Sequence, residues 1–316
     1  MELAAFCSNS RVIIVAGKGG VGKTTVTATL AVAAARTGMS VLIVEVEGKS
    51  GLPAAFDRPT LGYEESELAP GVRGRTLTPD EALIDWLEGS GLRRISRRLV
   101  HSGALDVVAT AVPGMKDILV LGKVKSLDLQ RAADLVIVDA PAAGHAITFL
   151  TSARGLLDAV RVGPVRRQAA DVVELLHDPR RCRVLLVTMP EETPVNELVD
   201  TAFAIEDRAG VALVPVVVNG CYEDLPLGLD NELTAAAVHR DAELLDVFVS
   251  EREAGDLARA AAFRTERAAI QHHQADRLAQ RLPLPQIRLP YLFGGDVGRA
   301  EVDRLADAFT AGVSAL

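Results

Sequence analysis

Val12-Ile13-Ile14-Val15-Ala16-Gly17-Lys18-Gly19-Gly20-Val21-Gly22-Lys23-Thr24-Thr25 is the stretch on which the reading of this chain turns. An apolar, β-branched run passes into a glycine-rich loop, and the loop opens into an Ala-rich helix that ends near Gly38. Strand, loop and helix in that order are the context that a phosphate-binding P-loop requires. Glycines let the backbone curl so that successive N–H groups face inward, and the helix N-terminus adds the positive end of its dipole. Gly17, Gly19, Gly20, Val21, Gly22 and Thr25 are therefore candidates to wrap phosphates. Lys23 is placed to meet the β and γ phosphates, and the Thr24 hydroxyl to ligate Mg²⁺. The ligand expected is ATP with Mg²⁺.

Working outward, apolar runs recur at residues 12–16, 41–46, 135–138, 184–187 and 211–218. They are continuous rather than alternating, as in parallel strands covered by helices on both faces. Strands alternating with helices predict right-handed βαβ units and an α/β, doubly wound, mostly parallel sheet. A last strand is expected at 286–289, ended by Pro290. Asp139 closes the third run, where a P-loop protein keeps the carboxylate that supports Mg²⁺. Two helical stretches fall outside the rhythm and predict subdomain insertions at about 78–130 and 225–282, on one edge of the sheet, within a single ATPase domain. The first opens on Thr78-Pro79-Asp80-Glu81, a capping box with proline at the first helical position.

Composition narrows the class. The 316 residues are 49% hydrophobic and 24% charged, enough to build a sizeable core, and the net charge of −8 argues against broad binding to nucleic acid or anionic lipid. No signal peptide is visible at the N-terminus, and no apolar run approaches the ~20 residues that span a bilayer. A cytoplasmic protein with at most peripheral membrane contact is expected. Cys7, Cys182 and Cys221 lie far apart, with no Cys-x-x-Cys pair, and read as three free thiols. The basic run 92–99 fits the solvated face of an amphipathic helix, Trp86 reads as core, and His272 and His273 have no spaced ligand partners.

The early lysine, Lys18, gives Lys18-Gly-Gly-x-Gly-Lys23-Thr24, which resembles the deviant Walker A loop of the MinD, ParA, nitrogenase iron protein and ArsA group. Three further segments are similar to the ArsA and guided-entry (tail-anchored-protein-targeting) ATPases. Asp139-Ala140-Pro141-Ala142-Ala143-Gly144-His145 looks like their switch II, and Leu289-Pro290-Tyr291-Leu292-Phe293 like the loop that closes over adenine. Met189-Pro190-Glu191-Glu192-Thr193-Pro194-Val195-Asn196-Glu197 resembles another of their shared segments. The resemblance implies an ATP hydrolase that works as a homodimer or as a heterodimer with a related ATPase. It implies that Lys18 reaches the partner's nucleotide, that Gly144 lies at the nucleotide, and that Asn219, Pro290 and Tyr291 hold the base. It also implies that His145 transmits nucleotide state.

The chain departs from the family in switch I, where an aspartate usually orients the attacking water. Here the aligned stretch is Val44-Glu45-Val46-Glu47-Gly48-Lys49-Ser50. Glu47, nearer the C-terminal end of the strand, is the expected catalytic acid, with Glu45 as the rival two residues earlier. Four methionines and scattered cysteines match neither a Met-rich client groove nor a metalloid site. Three functions follow from this pattern. The leading one is an ATPase coupled to an unidentified client or membrane process. The others are a nucleotide-binding regulatory subunit beside an active paralogue, and a positioning ATPase of the MinD or ParA kind. No specific nucleic acid is expected as a partner.

Overall fold

A computed structural model describes residues 1–46, 51–89, 114–141, 143–225, 233–294 and 296–316, with the backbone alone at 143–145. Eight strands form one sheet: β1 (Val12–Gly17), β2 (Val41–Val46), β3 (Ser66–Ala69), β4 (Val72–Leu77), β5 (Leu135–Asp139), β6 (Cys182–Thr188), β7 (Val216–Cys221) and β8 (Gln286–Pro290). Their order is β3-β4-β2-β5-β1-β6-β7-β8. Every neighbouring pair is parallel except the β3–β4 hairpin. The expected α/β, doubly wound, mostly parallel sheet is the fold found.

Period-two alternation sends each strand's side chains to opposite faces, and each face has its own helical cover. On one face Ile13, Val15, Ile43 and Ile137 pack with α1 (Leu3–Ser8), α2 (Lys23–Arg36), α3 (Gly51–Ala54) and α11 (Arg299–Ser314). On the other Ile14, Val44, Val138 and Leu186 pack with α5 (Met115–Leu129), α6 (Ala143–Ala159), α7 (Pro164–His177) and α8 (Glu192–Ala204). Within α11, Val302, Leu305 and Phe309 are buried at helical spacing, and Phe309 meets Phe6 edge to face at 5.7 Å.

The hairpin of β3 and β4 was absent from the strand pattern. Arg73, Gly74 and Arg75 interrupt any apolar run there, because this pair lies at the edge of the sheet and its arginines engage Glu65, Tyr63 and the Ala132 carbonyl. The strand expected from 211 begins only at Val216, and Leu213 makes an isolated bridge to Val184. The last strand ends at Pro290 as expected, but the proline is itself its final residue, opposite Cys221. The Tyr291 N–H donates to the Cys221 carbonyl, so odd-numbered residues face β7 and the proline nitrogen, which has no proton to donate, faces the open edge.

The first helical segment opens as α4 (Pro79–Gly89), with the Glu81 N–H donating to Thr78 Oγ1 at 3.3 Å. The basic run at 92–99 lies outside the described residues. α5 crosses the sheet face rather than sitting at its edge, since Ile118, Leu121 and Val124 belong to the central core. The second segment is two helices, α9 (Ala235–Leu244) and α10 (Glu251–Arg281). They part because Asp246 takes a positive φ of 52° and Ser250 starts a new helix with a full capping box to Glu253. Among the described residues, no helix is long and apolar enough to cross a membrane.

Candidate functional site

β1 sits at the centre of the sheet, between β5 and β6, and its carboxyl end points into the crevice where α/β folds bind ligands. The loop that follows needs glycine for two separate reasons. Gly20 and Gly22 both hold φ of +86°, which side chains other than glycine rarely adopt. Gly17 and Gly22 are also crowded: a Cβ would lie 2.3 Å from the Val187 carbonyl oxygen at Gly17, and 2.3 Å from Asn219 Nδ2 at Gly22. The loop backbone is therefore laid directly on β6 and β7. α2 then starts at Lys23 without a side-chain cap, so its first N–H groups open towards the loop.

Lys18, Lys23 and Thr24 each have a defined partner. Lys23 is buried, and its Nζ donates to the Lys18 carbonyl at 3.0 Å, which folds the ammonium back over the loop. Thr24 Oγ1 donates to Asp139 Oδ2 at 2.7 Å. Asp139 is buried at the end of β5, two strands' width of polar chemistry being gathered at the start of α2. Hard oxygen donors from one hydroxyl and one carboxylate beside phosphate-directed N–H groups fit a magnesium ion, which takes few protein ligands and completes its shell with phosphate and water. Thr25 stands in the first turn of α2, and a Cβ at Gly22 would come within 3.9 Å of it.

Lys18 Nζ lies 2.6 Å from Glu197 Oε1 on α8, both side chains about two-fifths exposed. Glu197 closes the Met189–Glu197 segment, but nothing in its spacing points to a lysine far upstream in the chain. α8 is in turn tied to α10. Asn196 Oδ1 accepts from Arg277 at 2.7 Å and from Arg281 at 2.6 Å, and Glu191 pairs with Arg267 at 3.5 Å.

Asn219 Nδ2 donates to the Val21 carbonyl at 3.0 Å, so this amide braces the P-loop. Tyr291 lies in an aromatic cluster close by. Its ring is edge-on to Tyr222 and to Phe293, each at 4.9 Å, while Tyr222 and Phe293 stack at 5.6 Å and Arg264 lies over Phe293. A cavity of about 380 Å³ opens there, walled by Pro290, Tyr291, Phe293, Arg264 and Arg304. Tyr222 was missed in the sequence, although in a chain with only 4% aromatic residues a tyrosine three positions after Asn219 is a usable signal.

Glu47 and His145 lie outside the described residues or side chains, and Gly144 is placed only as backbone at the start of α6. Glu45, the rival acid, is 1% exposed, and its Oε2 accepts from Thr76 Oγ1 at 3.1 Å. The three cysteines do not meet: Cys7 and Cys182 belong to the cores on opposite faces, and Cys221 ends β7. Burial pushes the Cys221 thiol up to about 11 and Cys7 up to about 12, so both stay protonated at neutral pH.

Comparison with known proteins agrees with this geometry. Residues 10–162, from the start of β1 through α6, match the family described as anion-transporting ATPase, the ArsA ATPases. The ATPase BagA of Mycobacterium tuberculosis is 34% identical over 257 residues, covering 75% of this chain and 72% of that protein. A putative arsenical pump-driving ATPase of Halobacterium salinarum is 25% identical over 231 residues, covering 66% of this chain and 35% of that protein. The ATPase get3 of Schizosaccharomyces japonicus is 32% identical over 145 residues, 44% of this chain and 42% of that protein. With 34% identity to BagA over 257 residues, 72% of that protein, and the family match across β1 and its glycine loop, this chain belongs to the ArsA-like ATPase family.

Proposed function

We propose that this chain binds MgATP at the loop Gly17–Thr25, hydrolyses it, and uses the cycle to open and close a dimer that acts on a client protein. The observation that carries the reading is the convergence of Lys23, Thr24 and Asp139 at the end of the central strand, with Thr24 Oγ1 and Asp139 Oδ2 at 2.7 Å. In this reading the N–H groups of Gly19, Gly20, Val21 and Gly22 wrap the phosphates, Lys23 neutralises the β and γ charges, and Thr24 with Asp139 holds Mg²⁺. Mg²⁺ supplies charge neutralisation at the transferring phosphoryl group. Glu47 orients the attacking water, and Lys18 compensates charge on a partner's nucleotide. Asn219, Pro290 and Tyr291 hold the adenine, and Gly144 closes on the phosphates from switch II.

For the client, the described surface offers an apolar groove of about 540 Å³ between α9 and α10, lined by Leu233, Val238, Leu245, Val247 and Leu257. Leu245, in its lining, is 74% exposed, and the neighbouring Leu244 and Phe248 are 79% and 91% exposed. Calorimetric titration with ATP and Mg²⁺ tests the nucleotide reading. Lys23→Ala should lose binding, because the phosphate charge is left uncompensated; unchanged affinity in that variant would sink it. A regulatory subunit with little hydrolysis is the second reading, favoured by glutamate in place of aspartate at position 47. Single-turnover rates on the wild type, alone and with co-purified partners, separate the two.

A further inference from the structure

β7 changes course beside the P-loop. Val218 pairs with Arg288 but Cys221 with Pro290, so β7 uses one residue more than β8 over this stretch. The bulge falls at Asn219-Gly220, where Gly220 holds a φ of +75°. Such a bulge re-aims the side chains around it. Val217 packs in the core on the α2 face, and Asn219 follows it there by alternation, whereas Cys221 packs against the core of the opposite face. The amide that donates to the Val21 carbonyl therefore owes its aim to the bulge. α10 grips this turn of the chain. Gln271 is 5% exposed; its Oε1 accepts from the Tyr222 N–H at 2.6 Å, and its Nε2 donates to the Gly220 carbonyl at 3.1 Å. A backbone N–H only donates and a carbonyl only accepts, so the two bonds fix which end of the amide is which. About two turns earlier on α10, Arg264 donates to the Glu223 carbonyl at 3.2 Å, and its guanidinium lies 5.2 Å from the centre of the Phe293 ring.

We propose that Gln271 is a positioning residue for recognition of the base, with Arg264 as its outer support. This rests on the reading of Asn219 and Tyr291 as the residues that hold adenine. Asn219 Oδ1 has no donor among the described residues, so it can accept from the amino group of adenine, where guanine carries a carbonyl. That choice depends on where the amide points, and Gln271 sets it by bonding the backbone directly after Asn219. The same side chain fixes Tyr222, whose ring is edge-on to Tyr291 at 4.9 Å. One buried amide thus holds both the group that reads the base edge and the ring cluster beside it. Its two bonds are made out of water, where leaving either partner unpaired costs most. In this role Gln271 acts through Asn219 and Tyr222, and not on the nucleotide itself.

The test is Gln271→Met, which keeps the length of the side chain and removes both bonds. Calorimetry on the full chain with Mg²⁺ compares three probes: ADP, GDP, and pyrophosphate, which engages the P-loop without a base. The expected result is ADP affinity about tenfold weaker with GDP and pyrophosphate unchanged, so that the preference for ADP over GDP narrows about tenfold. A purely structural role lowers the melting temperature but leaves that preference as in the wild type, and this outcome overturns the inference. Equal weakening of all three probes overturns it as well, since the effect then lies in the P-loop. Asn219→Ala is the control for the underlying reading. If the wild type shows no preference, or if Asn219→Ala leaves it intact, Asn219 does not read the base and the inference falls with that reading. If Asn219→Ala narrows the preference and Gln271→Met does not, the inference alone fails. Should Gln271→Met not fold, Arg264→Met asks the same question at a half-buried position. A narrowed preference with pyrophosphate binding unchanged then supports the proposal, and an unchanged preference rejects it.

Discussion

Gly20 and Gly22 share the same positive φ of +86°, yet they differ in what surrounds them. Among the described residues nothing lies within 4 Å of a Cβ at Gly20, whereas at Gly22 the Asn219 amide is 2.3 Å away. Gly20→Ala should therefore cost only the left-handed strain of about 1–2 kcal/mol. Gly22→Ala adds displacement of Asn219 and loss of its bond to the Val21 carbonyl, so it should be the more destabilised of the two by chemical denaturation. It should also lose nucleotide affinity that Gly20→Ala largely keeps. The need for glycine was legible from the spacing of the loop, because a P-loop declares itself in consecutive residues. The identity of the amide that closes on Gly22 was legible only through resemblance, since Val21 and Asn219 meet across the fold. Glu197 as partner of Lys18 was not legible at all, because a pair of common surface charges leaves no periodic trace.

At the level of elements, the ends of the strands divide the labour. Opposite the P-loop, at the amino ends, Asp128 near the end of α5 is buried and receives two arginines. Arg11, just before β1, lies 2.8 Å from its Oδ1, and Arg181, just before β6, 2.8 Å from its Oδ2. One carboxylate thus ties a helix to two strands. Asp128→Ala would strand both guanidinium groups, and since Arg11 remains 38% exposed the cost should be near the low end for a broken buried pair, about 3 kcal/mol. Thermal unfolding should show that loss with ADP affinity unchanged, because the pair sits at the end of the sheet away from the loop. An altered affinity at full folding would contradict this separation of stability from binding. The central strands were readable because burial on both faces demands continuous apolar runs. β3 and β4 were not, because Arg73, Gly74 and Arg75 break the apolar run of β4 and Ser66 and Glu67 that of β3. The break between α9 and α10 was hidden by composition, as both helices carry the same Ala, Arg and Glu mixture.

For the whole molecule, the contact that matters most for assembly is the one between Lys18 and Glu197. The lysine that would serve a partner's nucleotide is held within its own chain at 2.6 Å. Since both side chains are about 40% exposed, the pair is worth at most about 1 kcal/mol, a hold weak enough for a partner to break. Glu197→Gln should thus favour the dimer formed with ADP and aluminium fluoride, by a factor of about five at most. Lys18→Ala should abolish that dimer while leaving ADP binding intact. Light scattering across a concentration series reads both effects, and a weaker dimer in Glu197→Gln would show that the glutamate assists assembly rather than restraining it. The 31 residues of α10 give this restraint mechanical reach. An unbroken helix of that length is a rod of about 46 Å, and the contact of Arg267 with Glu191 holds it about halfway along. Arg277 and Arg281 fasten the rod to α8 two turns or less from its end, and the apolar groove lies beside the opposite tip. A shift of α8 at the P-loop would be carried through Arg267, Arg277 and Arg281 into α10, the helix that forms one wall of that groove.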